Sequence, residues 1–166
     1  LQYSPLVGVF ALNAMSIKGK NNLLDRSIVF VTAYTIMTGS VNILKSATKE
    51  LRPDGSSKNS FPSGHTATAF VGAEILYQEY KHKSPWYGIA GYTIATSVAV
   101  LRVYNERHWV GDVVAGAGIG ILSTKIAYLV QPWIKKTFFK QKSTISASIN
   151  PIYNQNQKGI GLSLVF

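Results

Sequence analysis

Two stretches of 18 residues, 27–44 and 84–101, carry no charged side chain, and each stops at a cation, Lys45 and Arg102. Residues 1–17, 113–124 and 126–134 are also uncharged, the last two parted by Lys125. Segments of this length read as helices at the lower edge of a membrane span. They are also rich in Thr, Ser, Asn and Gly, and the mean hydropathy is only +0.11, which equally fits the buried helices of a soluble bundle. The expected order is helix, basic connector (18–26), helix, polar loop, helix, basic connector (81–84), helix, short loop, helix, tail. This is an all-α bundle of about five or six helices over residues 1–136. A tail follows over 137–166, either irregular or a short β-hairpin turning near 154–159, because apolar and polar residues alternate there.

The 166 residues suffice for one domain with a core. Lys and Arg outnumber Asp and Glu by 17 to 7, so the net charge is +10. Such a balance suits an anionic partner: nucleic acid, an anionic membrane surface or a phosphorylated substrate. The chain has no Cys, which excludes thiol catalysis, disulfides and cysteine metal sites. Leu1 rather than Met stands first, as expected of a processed or trimmed chain.

Polar chemistry gathers in three clusters. In "KSATKELRP", Lys45 and Arg52 lie seven apart and share a face if the helix reaches that far, with Pro53 ending it; a solvated basic helix end is the plainer account. In "FPSGHTATAF", Pro62, Ser63, Gly64 and His65 precede a run, 66–77, that reads as a helix. A helix N-terminus has unpaired N–H groups and a positive dipole, which favour an anion, and His65 can give or take a proton. The alternative there is an ordinary N-cap with a solvated histidine. In "RVYNERHWVGD", His108 and Asp112 are i,i+4, close enough for the carboxylate to hold one ring nitrogen and leave the other free as a nucleophile; a helix-capping ion pair is the alternative. Taken together, the clusters form a phosphoryl-transfer inventory: cationic clamps, a nucleophile and an acid for the leaving group. No magnesium-type carboxylate cluster or His-x-x-x-His zinc pair is present in the sequence. Downstream, "GDVVAGAGIG" spaces Gly111/Ala115, Asp112/Gly116 and Gly116/Gly120 by four, which predicts close helix approach.

Lys45–six residues–Arg52-Pro53, then Pro62-Ser63-Gly64-His65, then Arg102–five residues–His108–three residues–Asp112 resembles the three motifs of the type-2 phosphatidic acid phosphatase superfamily. That superfamily includes lipid phosphatases, bacterial acid phosphatases and vanadium haloperoxidases, and the resemblance covers roughly residues 25–130. It implies a helical bundle and two-step hydrolysis without a metal or other cofactor. His108 would attack phosphorus, Asp112 would orient it, and His65 would protonate the leaving oxygen and then activate water. Lys45, Arg52, Arg102, Ser63 and Gly64 would hold the phosphate oxygens. One departure stands out: Leu101 occupies the place where the family usually has Ser before the third-motif arginine.

The leading expectation is a phosphatase or pyrophosphatase acting on lipid phosphates at a bacterial inner membrane, with its site facing the periplasm. The alternatives are a soluble periplasmic acid phosphatase of broad specificity and a basic, non-enzymatic binding module. Basic residues scattered between apolar runs, rather than forming one stripe, argue against nucleic acid.

Overall fold

A computed structural model describes residues 1–138, 146–154 and 157–165. The described residues form helices α1 (Ser4–Ala14), α2 (Leu23–Thr48), α3 (Gly64–Tyr80), α4 (Trp86–Tyr104) and α5 (Val110–Phe138), then strands β1 (Ser146–Asn154) and β2 (Gln157–Val165). The chain divides into a unit of Leu1–Ile134 and a unit of Lys135–Phe166. In the second unit β1 and β2 pair antiparallel, with Ile149 opposite Leu162. Residues 155 and 156, within the expected turn, and residues 139–145 and 166 of the expected tail lie outside the described residues. The all-α bundle expected for the first unit is what the chain forms.

Helix α3 is the centre of the bundle. Val71, Ile75 and Ala67 on α3 pack with Val9 of α1, Ala127 of α5, and Val29, Ala33, Met37 and Val41 of α2. The four α2 residues are four apart, so they form one stripe along the helix. On another side of α3, Ala69 and Ala73 receive Ala95 and Val98 of α4, where small side chains let the axes approach. Gly116 and Gly120 do the same for α5. A Cβ on Gly116 would lie 2.5 Å from the Ser63 carbonyl oxygen, and one on Gly120 would lie 2.5 Å from that of Ala67. The small-residue spacing of α5 is therefore a helix-packing seam, and it brings the start of α5 against the start of α3.

Helices α2 and α5 are each long and apolar enough to cross a membrane, with mean hydropathies of 1.5 and 1.7 over their best windows. Both turn large apolar side chains outward, among them Val31 and Ile43 of α2 and Val114, Leu122 and Leu129 of α5.

Two expectations require correction. Helix α2 does not persist to Arg52: it ends at Thr48, and Lys49 caps it in the left-handed region at φ 47°. Arg26 does not belong to the basic connector expected over 18–26 but to α2. Asn22 caps α2 by accepting from the Asp25 N–H at 2.8 Å, which places Arg26 in the first turn, where it is buried. Its Nε meets buried Glu79 of α3 at 3.3 Å. The Glu79 carboxylate also accepts from the Asn21 side chain at 2.7 Å and the Tyr128 hydroxyl at 2.8 Å. This network closes the end of the bundle at which α2 begins and α3 ends.

Candidate active site

The opposite end collects the motif residues, because α2 ends there, α3 and α5 begin there, and α4 ends there. Lys45 lies in the last turn of α2 and directs its ammonium at the carbonyl oxygens of Asn59 and Ser60, which fixes the polar loop over the helix end. Arg52 reaches the same place from the loop rather than from a helix face. Its N–H donates to the Ser57 oxygen at 3.0 Å and its carbonyl accepts from the Gly55 N–H at 2.9 Å, so a tight turn presents the side chain.

Ser63 is the N-cap of α3. Its buried Oγ accepts from the Thr66 N–H at 3.4 Å and from the Thr66 hydroxyl at 2.9 Å. Gly64 and His65 then form the first turn, where the helix N–H groups are unpaired. The Ser63 N–H donates to the Asp112 carbonyl at 3.0 Å, tying the two helix starts together.

His108 is buried just ahead of α5, and its Nδ1 lies 3.2 Å from Asp112 Oδ2. That same oxygen accepts from the Trp109 N–H at 2.9 Å and from the hydroxyl of buried Ser60. An acceptor on Nδ1 fixes the proton there, so Nε2 is left with its lone pair. Burial holds the His108 pKa below its ordinary value, and Lys45 and Arg52 act in the same direction, while Asp112 opposes them. His65 also lies low, first through burial and then through the cations Arg102, Arg52 and Lys45. Arg102, in the last turn of α4, donates from Nη2 to His65 Nδ1 at 2.8 Å.

Lys45, Arg52, Gly64, His65 and His108 line one cavity of about 300 Å³. An adjoining cavity of about 410 Å³ is lined by His65, Leu101 and Arg102. Ser63 and Asp112 are fully buried behind these walls. The guanidinium Nε atoms of Arg52 and Arg102 are buried donors without a partner. An unpaired buried donor costs about 1–3 kcal/mol, and two of them beside Lys45 and a helix start suit an anion. Among the described residues no group of three His, Cys, Asp or Glu side chains is gathered to hold a metal.

Sequence reasoning missed Ser60, whose hydroxyl meets Asp112 across 52 positions. It also missed the contacts to the polar loop made by Trp109 Nε1 with the Leu51 oxygen at 2.9 Å and by Arg107 with Asp54 at 3.0 Å. A profile of the PAP2 superfamily, the type-2 phosphatidic acid phosphatases, matches residues 26–136, which contain every one of the three motifs.

The chain belongs to the PAP2 superfamily. Among curated relatives, the lipid A 1-phosphatase of Porphyromonas gingivalis is 39% identical over 140 residues, 84% of this chain and 31% of that protein. Phosphatidylglycerophosphatase B of Bacillus subtilis is 37% identical over 114 residues, 60% of this chain and 54% of that one. The chain therefore spans about a third to a half of the length of these two relatives. The crystal structure of Aquifex aeolicus LpxE shares the fold, with a TM-score of 0.59 at 24% identity over 76% of this chain and 75% of that one.

Proposed function

We propose that this PAP2 chain hydrolyses lipid phosphate monoesters or pyrophosphates, without a metal, through a phosphohistidine on His108. One observation carries the reading: His108, with Nδ1 held at Asp112, opens into the cavity that also holds Lys45, Arg52, Gly64 and His65. In the first step the Nε2 lone pair of His108 forms a bond to phosphorus. The P–O bond to the leaving group breaks, and its electron pair stays on the leaving oxygen, which takes a proton from His65. In the second step His65 accepts a proton from water as the water oxygen attacks phosphorus. The P–N bond then breaks and returns its pair to His108. Lys45, Arg52 and Arg102 neutralise the transferring oxygens, with the Gly64 N–H and the helix start behind them. Ser63 holds this start in place as its cap.

A lipid substrate is supported by the apolar lengths of α2 and α5 and by the names of the two curated relatives. The charged groups of the site, Lys45, Arg52, His65, Arg102 and His108, lie at one end of the bundle. At a bilayer centre such a charge would cost about 2.5–3.5 kcal/mol, so the site belongs at the interface, where a lipid presents its phosphate. The reading places the protein in a bacterial inner membrane with this end toward the periplasm.

The test is phosphate release in excess EDTA from a panel of long-chain lipid phosphates, lipid pyrophosphates and p-nitrophenyl phosphate, using the carbonate-washed membrane fraction. The expected result is retained, lipid-preferring hydrolysis. Release of the protein by carbonate with equal rates on water-soluble esters would favour a soluble acid phosphatase. Binding of polyanions without any hydrolysis would favour a basic binding module.

A further inference from the structure

Gln2, Tyr3 and His65 line both cavities at the site end. Gln2 therefore stands where the compartment of Lys45, Arg52 and His108 meets that of Arg102 and Leu101. Its Oε1 is buried without a hydrogen-bond partner. The side chain is not the cap of α1 either: Tyr3 is the N-cap of that helix, and its cap carries no side-chain hydrogen bond. Among the described residues four buried side-chain polar atoms lack a partner, and three of them, on Gln2, Arg52 and Arg102, belong to residues lining these two cavities. The resemblance in sequence puts a serine hydroxyl before the third-motif arginine, and here Leu101 lines the second cavity with no group to donate.

We propose that Gln2 is a phosphate-binding residue of this site and provides the neutral hydrogen bond that Leu101 cannot. A carboxamide carries an acceptor oxygen and a donor NH2 that exchange by a half-turn of its terminal torsion. The same buried position can thus donate to a phosphoryl oxygen or accept from a P–OH group. Being neutral, it adds a ligand without further lowering the pKa of His65, as another cation at that junction would. The inference rests on the phosphatase reading, and its ligand is the phosphoryl group itself, shared by lipid phosphates and inorganic phosphate.

The test uses the full chain and measures inhibition by inorganic phosphate, with a thermal melt to check folding. In Gln2→Leu the inhibition constant should rise about tenfold with an unchanged melt, and Gln2→Leu combined with Leu101→Ser should recover most of that loss. An unchanged inhibition constant in Gln2→Leu overturns the role of Gln2. So does a loss that Leu101→Ser leaves in place, because the two groups would then not be substitutes. A wild-type protein that hydrolyses no phosphate ester and binds no phosphate sinks the phosphatase reading itself, an outcome distinct from either.

Discussion

Arg102 donates to His65 Nδ1 at 2.8 Å, so the ring of His65 turns its lone pair toward a cation. That contact has a direct consequence for pH dependence. In the proposed mechanism His108 attacks only when neutral, so the rate should rise as pH passes its pKa. In the same mechanism His65 would protonate the leaving oxygen only when charged, so the rate should fall as pH passes its own. Burial and the surrounding cations hold both below the ordinary value of ~6.5. The profile of kcat/KM should therefore be a bell with its maximum on the acid side of ~6.5, reporting the coupled pair. Arg102→Gln removes one of the cations lowering His65, and its falling limb should move to higher pH. A kcat/KM that climbs steadily into alkaline pH would contradict these roles.

Ser60 supplies a second prediction. Its hydroxyl donates to the Asp112 oxygen that faces His108, inside a fully buried cluster. A hydrogen bond to a charged group is worth about 1.5–3 kcal/mol. Ser60→Ala should lower kcat by roughly tenfold to a hundredfold, because Asp112 then holds the imidazole less well. A kcat within twofold of wild type in steady-state assays would show that Asp112 does not depend on it.

Gly116 and Gly118 form a matched pair on α5. A Cβ on Gly116 would strike the Ser63 carbonyl, whereas one on Gly118 meets nothing within 4 Å. Gly116→Ala should destabilise by about 1–3 kcal/mol through overpacking and should lower activity, since Ser63 sets the helix start carrying Gly64 and His65. Gly118→Ala should be neutral or stabilise by up to about 1 kcal/mol. Melting both variants side by side checks this, and equal behaviour would refute the packing seam.

The far end of the bundle can be tested independently of catalysis. Removing one partner of a buried ion pair leaves an uncompensated charge and costs about 3–5 kcal/mol. Glu79→Ala should show that loss by orphaning Arg26, while Arg26→Met combined with Glu79→Leu should be markedly less destabilised. A double variant as unstable as the single one would mean that the charges are needed for more than each other.

The parts of the site that are legible in sequence are local. His108 and Asp112 are four apart on one helix start, Ser63 through His65 announce another, and Lys45 and Arg102 end uncharged runs. Each rests on spacing within one element or at its edge. What escapes is set by the tertiary fold. Ser60 and Asp112 are joined across 52 positions, and Arg26 and Glu79 across 53. Nothing at Lys49 signals a left-handed cap, so the exit of Arg52 from the helix could not be foreseen and its arrival at the cavity depends on the loop turn at Gly55. The packing role of Gly116 was readable from its spacing, but its partner, the carbonyl of Ser63, was not.

The central claim is that His108 carries the phosphoryl group between the two steps. Its most direct test is to mix the protein with a phosphate-labelled lipid substrate, quench within the first turnovers under alkaline denaturing conditions, and map the label by mass spectrometry. The account predicts an acid-labile phosphate on His108, absent from His108→Ala, which should also be inactive. A His108→Ala variant that retains turnover, or a label found on another residue, would contradict it.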